Sequence, residues 1–212
     1  MLMVNNPEAV AGRFLYPYIR FFNASPGSSS LSFAFNDSTT ATQPYATFSR
    51  YIQTEAGLPT ISVYDTQGNM LDRIALSLDG GQVYTIAAIG KFPDTHLLII
   101  PEPTAQNKLN VSNLRIANLS PDVPDVDIFA NGFPILQDIE YPEISRYIYL
   151  KPNHYTYRVN PENSNDVLLT IPGQTANVGQ YYTLYLVGEA NGTQPLSATI
   201  SLDAASYTGQ YL

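Results

Sequence analysis

The sequence contains no cysteine and no tryptophan, and only 13% of its 212 residues are charged. Without cysteine, disulfide frameworks, thiolate zinc sites and thiol nucleophiles are excluded. Soluble domains average roughly 25% charged residues, so this surface must draw its polarity from Ser, Thr, Asn, Gln and Tyr. Such a surface repels other molecules weakly and favours association. Basic residues are also few: ten Lys and Arg against eighteen Asp and Glu give a net charge of −8 and a pI of about 4.5. No basic cluster able to neutralise phosphates is present, which argues against nucleic acid as a partner. No apolar run approaches the roughly 20 residues of a membrane span. Near the N-terminus, Asn5, Asn6, Pro7 and Glu8 interrupt the apolar stretch that a secretory leader needs. The expectation is a soluble chain made in the cytoplasm with no general export signal.

What is present is a duplication. "PYIRFFNASPGSSSLSFAFND" (17–37) is echoed by "SNLRIANLSPDVPDVDIFANG" (112–132). Arg20 and Arg115 stand 95 residues apart. Arg50 of "FSRYI" and Arg146 of "ISRYI" stand 96 apart, and Tyr84 and Tyr182 of the two "GQ-x-YT" runs stand 98 apart. A period near ninety-five is that of a duplicated domain, since solenoid repeats run roughly 20–50 residues. The stretch "PEPTAQNKLNV" (101–111), with two prolines and polar residues, marks a linker, placed at 104–111. The predicted organisation is therefore an N-terminal tail (1–16), repeat 1 (17–103), the linker, repeat 2 (112–204) and a C-terminal tail (205–212).

Within each copy the hydrophobic period is two. Leu31, Phe33 and Phe35 alternate with Ser32 and Ala34, and Leu196, Ala198, Ile200 and Leu202 alternate with Ser197, Thr199 and Ser201. Successive strand residues face opposite sides, so each run has one buried and one wet face. Turn residues such as Asn36-Asp37 and Asn131-Gly132 separate the runs. About seven strands are predicted per copy, in repeat 2 near 113–118, 125–130, 144–150, 155–160, 167–171, 180–187 and 196–202. This density predicts an all-β protein of two tandem immunoglobulin-like or transthyretin-like antiparallel β-sandwiches.

Repeat 2 carries Arg115, Asn118, Ser120, Pro121, Asp122, Pro124, Val126, Asp127, Asn131, Gly132, Tyr182, Thr183 and Gly188. Repeat 1 keeps Arg20, Asn23, Ser25, Pro26, Tyr84, Thr85 and Gly90, but has "GSSSLS" for the acidic stretch and reads as carrying an insertion, "STTATQP", after Asn36. This pattern resembles the domain-of-unknown-function family 4397 over about residues 17–204. The "QPLSATISLDAASY" ending resembles short, signal-less tandem members from spore-forming Gram-positive bacteria. The resemblance implies β-sandwiches on a bacterial cell, wall or spore surface, and brings no catalytic residues with it.

Few constellations suggest chemistry. Asp122, Asp125 and Asp127 place three carboxylates within six residues, enough oxygen to consider Ca²⁺. The spacing fails the EF-hand pattern, and repeat 1 lacks all three acids, so a backbone-bonded turn is the favoured reading and no metal or other cofactor is expected. The paired arginines, Arg20/Arg115 and Arg50/Arg146, read as stems lying over apolar surface whose heads pair with a carboxylate or stack on Tyr. His96 and His154 have no ligand partners at metal spacing. No nucleophile elbow, phosphate loop or zincin motif occurs. The expected function is accordingly non-enzymatic.

Sixteen tyrosines are the unusual abundance. Tyr181 and Tyr185 fall out of phase with the core positions of their strand and are predicted to face outward. Phe14, Tyr16, Tyr207 and Tyr211 lie in the tails. These six are the candidate interaction residues, because aromatic side chains supply rigid amphipathic contact area. Either the tails add to a neighbouring sandwich or they fold back on their own domain. The favoured partner is a second copy in a homo-oligomer, or another surface or spore-coat protein. The alternative is a cell-wall or other polysaccharide bound on an exposed Tyr platform.

Overall fold

The structure is a computed structural model that describes residues 2–4, 15–105 and 109–211; for 2–4 and 208–211 it describes the backbone alone. The described residues group into two units, one running to residue 105 and including 204 onward, the other spanning 109–203.

The first unit contains β1 (Leu2–Val4), β2 (Tyr18–Asn23), β3 (Ser30–Phe35), β4 (Ser38–Pro44), β5 (Tyr51–Gln53), β6 (Thr60–Tyr64), β7 (Met70–Ala75), β8 (Val83–Ile89) and β9 (His96–Glu102). They form two sheets, β1-β5-β2-β8-β9 and β4-β3-β6-β7. The second unit contains β10 (Ser112–Asn118), β11 (Val126–Ala130), β12 (Phe133–Ile139), β13 (Glu143–Ile144), β14 (Ile148–Leu150), β15 (Asn153–Pro161), β16 (Leu169–Ala176), β17 (Tyr181–Val187) and β18 (Ser197–Leu202). Its sheets run β13-β10-β17-β18, with β14 also on β10, and β12-β11-β15-β16. Each unit is thus a two-sheet sandwich, and no α-helix occurs among the described residues.

The expected all-β fold of two sandwiches is present and mostly antiparallel, with one parallel strand pair in each unit. The sheets are not wholly antiparallel: β2 runs parallel to β8, and β10 runs parallel to β17. Each parallel partner is reached by a crossover, after the strands of the other sheet have been laid down.

The duplication is visible in the pairing register. Arg20 pairs with Thr85 and Arg115 with Thr183. Tyr18 pairs with Gln53 and Ile19 with Ile52, just as Asn113 pairs with Tyr149 and Leu114 with Ile148. The inward faces form one core per unit. Phe33 and Ile86 are fully buried in the first, Ile128 and Leu184 in the second, as their phase predicts.

The supposed insertion in repeat 1 is also corrected. "STTATQP" is β4, a seven-residue strand that answers the seven-residue β12. Asn131 and Gly132 take φ of 49° and 88°, the double left-handed conformation of a two-residue hairpin loop. Asn36 and Asp37 do the same in repeat 1. Both outer strands escaped sequence reading. β4 is small and polar throughout, β12 contains Pro134, and neither shows clean alternation.

The C-terminal residues form a 3-10 helix, Ala204–Tyr211. Ala204 and Tyr207 pack with Tyr18, Tyr51 and Val83 of the first unit. The described part of the N-terminal tail also folds onto this unit, with Leu2, Met3 and Val4 opposite Gln53, Ile52 and Tyr51.

Candidate functional site

The duplicated polar residues converge on a buried cluster in each unit. In the first, Arg20 Nε donates to Thr85 Oγ1 at 2.7 Å and lies 3.1 Å from Glu102 Oε1. Thr85 donates to Glu102 at 2.5 Å, and Tyr51 OH donates to the other carboxylate oxygen at 2.6 Å. The Ala204 N–H completes the set at 2.8 Å. The guanidinium stacks over Phe48 and Tyr51, 4.7 and 4.8 Å from their ring centres. In the second unit Arg115 Nε donates to Thr183 Oγ1 at 2.7 Å, and Thr183 donates to Asp203 at 2.5 Å. Tyr147 OH also donates to Asp203, and the guanidinium lies 4.8 Å from the Tyr147 ring centre.

Neither cluster is open to a ligand: the Glu102 and Asp203 side chains have no exposed surface, and Arg20 and Arg115 are nearly as buried. Burying such charges is tolerable only when their hydrogen bonds are made. The clusters are internal scaffold, as the structural reading expects for Arg20 and Arg115; Arg50 and Arg146, read the same way from the sequence, are exposed.

The repeated Asn-x-Ser-Pro has the same character. Ser25 N–H donates to Asn23 Oδ1, and Ser120 N–H to Asn118 Oδ1. The serine hydroxyls donate to Gly90 O and Gly188 O, both at 2.6 Å. Those glycines have φ of 85° and 98°. A Cβ on Gly188 would lie 2.3 Å from Pro195 O, so the chain can pass there only without a side chain.

The three aspartates considered for calcium are not brought together. Asp122 accepts the Ala190 N–H at 2.7 Å and the Asn191 N–H at 3.4 Å. Asp127 is buried and accepts from Asp138 N–H and Asn163 N–H. Asp125 instead joins Asp138 and Glu162, whose carboxylate oxygens lie within 4.8 Å of one another. Sequence reasoning missed this trio, because Asp138 on β12 and Glu162 after β15 meet Asp125 only through β-pairing. Asp138 and Glu162 are exposed, and exposed acidic groups commonly cluster in this way without holding an ion. His154 is exposed, with Nδ1 3.0 Å from Thr175 Oγ1.

The candidate interaction residues divide. Tyr181 and Tyr185 are not outward: they are 7% and 0% exposed. Their strand lies between β10 and β18, and it is buried on both faces over most of its length. Alternation therefore marks no wet face there. Tyr207 is half-buried, edge-on to Tyr51 at 6.3 Å. Tyr16 is 50% exposed and lines a groove of about 630 Å³ with Asn36, Gln53, Glu55 and Leu58. Phe14 and the Tyr211 side chain lie outside the described residues. Leu15, Leu58, Phe133 and Tyr149, which sequence reasoning did not select, are the more exposed large side chains among the described residues, at 62%, 72%, 73% and 62%. A second groove, about 540 Å³, is lined by Ile135, Leu136, Ile139, Glu143, Ser145 and Arg146.

No curated protein matches the sequence significantly. Among solved structures, a candidate cell adhesion protein from Bacteroides ovatus aligns over 90% of this chain and 97% of its own, with 8% identity and a TM-score of 0.30. A second candidate cell adhesion protein, from Bacteroides fragilis, covers 84% of this chain and 85% of its own, with 9% identity and a TM-score of 0.20. Neither superposition is close. The model of the domain of unknown function DUF4397 matches twice in tandem, over residues 17–111 and 112–209. Both repeats are spanned, with the Arg, Asn-x-Ser-Pro and Tyr-Thr residues whose buried contacts are described above, and the chain belongs to the DUF4397 family.

Proposed function

We propose that this chain is a non-enzymatic interaction protein of a bacterial surface layer, such as a spore coat, acting by self-association or by contact with other proteins of that layer. The observation that carries this reading is a division of labour. The residues duplicated between the repeats are spent inside the fold, on Arg–Thr–carboxylate clusters and Ser–Gly ties. Large exposed side chains, Tyr16, Leu58, Phe133 and Tyr149 among them, lie where the repeats differ. Exposed aromatic and aliphatic side chains on a weakly charged surface favour protein contact. Tyr181 and Tyr185 are buried and are not offered as contacts, and Tyr207 is committed to Tyr51.

Dynamic light scattering over a concentration series tests the reading, with higher-order species growing in as concentration rises. A second reading has one observation in its favour: the Tyr16 groove combines an aromatic ring with Asn36, Gln53 and Glu55, the mixture that binds sugars. A monomer whose tyrosine fluorescence responds to cell-wall polysaccharide would favour it.

A further inference from the structure

The same strand edge is treated differently in the two repeats. In the first unit β5 is flanked by β2 on one side and by β1 on the other. In the second unit β14 holds the equivalent register on β10, yet among the described residues no strand pairs with its outer edge. The burial follows the pairing. Ile52 of β5 is 1% exposed, whereas the equivalent Ile148 is only half-buried and Tyr149, equivalent to Gln53, is 62% exposed.

The backbone polarity of this edge can be read from the first unit. Thr54 N–H donates to Pro17 O, so alternation along an antiparallel ladder turns the N–H and C=O of Gln53 outward, where Leu2 pairs with them. Tyr149 holds that position in β14. A strand entering there as β1 enters on β5 would run past Tyr147 toward Arg146 and Ser145. Those residues line the groove floored by Ile135, Leu136 and Ile139. Edge and groove therefore form one continuous track.

We propose that the outer edge of β14, with this groove, accepts one extended apolar peptide strand from another protein of the same layer, running antiparallel to Tyr147–Leu150. The proposal rests on the protein-contact reading above and names its partner's chemistry. The occupant resembles Leu2–Val4 because that segment already fits the equivalent edge in the same register. It is not the chain's own arm, because one arm serves two such edges and the first is taken. Main-chain hydrogen bonds supply the affinity in this mode, and alternate side chains the selectivity.

The test uses a fluorophore-labelled peptide, Leu-Met-Val-Asn-Asn (residues 2–6), titrated into the full chain and followed by anisotropy. One equivalent is expected to bind. In the full chain carrying Val4→Pro, which takes β1 off β5, two equivalents are expected. Tyr149→Pro removes the outward N–H and should weaken the full-chain site by at least tenfold. Tyr149→Lys keeps every backbone donor while charging the edge, and is expected to give the same loss should the proline variant misfold. Binding to the Val4→Pro chain but not to the unaltered one, or no saturable binding to either, overturns the proposal. Self-association of the unaltered chain without saturable peptide binding would remove this edge and leave the broader reading standing.

Discussion

Arg20 and Arg115 are held by several contacts at once, so removing either leaves a carboxylate stranded. Arg20→Met deprives Glu102 of its cation while Tyr51, Thr85 and Ala204 still hold it in place. Breaking a buried pair from one side costs about 3–5 kcal/mol, whereas replacing both partners is often near neutral. Urea denaturation should therefore show a large loss for Arg20→Met and substantial recovery when Glu102→Gln is added. Equal losses in the single and double variants would mean that the pair is not the structural unit described. Tyr157 supplies a pH-dependent counterpart. It is 3% exposed in the second core, and burial, reinforced by Tyr155 and Tyr182, pushes its phenol well above the usual range. Below the ordinary tyrosine pKa of about 10 the folded and unfolded states both keep the proton. Above it the unfolded chain ionises first, so stability falls as pH rises. Tyr157→Phe should flatten the alkaline arm of the stability profile relative to the unaltered chain.

At the level of strands, alternation was legible wherever one face is core and the other is not. Phe33, Ile128 and their neighbours show it, and Ile128→Ala should lower stability by about 2–5 kcal/mol, read from the denaturant midpoint. Alternation misled on β17, where both faces are buried, and was silent on β4 and β12, edge strands whose residues answer to solvent more than to a core. The parallel β2–β8 and β10–β17 pairs were illegible for another reason: strand direction depends on how the chain crosses between sheets, which local sequence does not encode. The Asn-x-Ser-Pro motif was legible as a repeat but not as a role, because its partners Gly90 and Gly188 lie 65 and 68 residues along the chain. Ser120→Ala should strand Gly188 O and cost about 1–3 kcal/mol. Thermal unfolding of that variant unchanged from the parent would show that the tie is dispensable.

Taken whole, the chain uses its described ends to complete its own first sandwich. Leu2–Val4 extends one sheet, and the 3-10 helix covers Tyr18, Tyr51 and Val83 while offering Ala204 N–H to Glu102. Removing residues 204–212 should accordingly raise amide exchange in β2, β5 and β8. Exchange raised only in the second unit would contradict the packing described. Tandem duplication was plain from the register of arginines, but the use of a C-terminal segment by the first repeat was not, since nothing local in "AASYTGQY" names its partner. The aromatic count pointed correctly to tyrosine as the abundant resource and wrongly to Tyr181 and Tyr185 as its outward share. The central claim is that the residues the two repeats share build the scaffold, while exposed apolar residues at positions where the repeats differ make contacts. Sedimentation velocity tests it most directly, comparing the unaltered chain with a variant carrying Tyr16→Ser, Leu58→Ser, Phe133→Ser and Tyr149→Ser over the same concentration range. The account predicts concentration-dependent larger species for the unaltered chain and a folded monomer for the variant. A monomer at every concentration for both, or equal assembly by both, would contradict it.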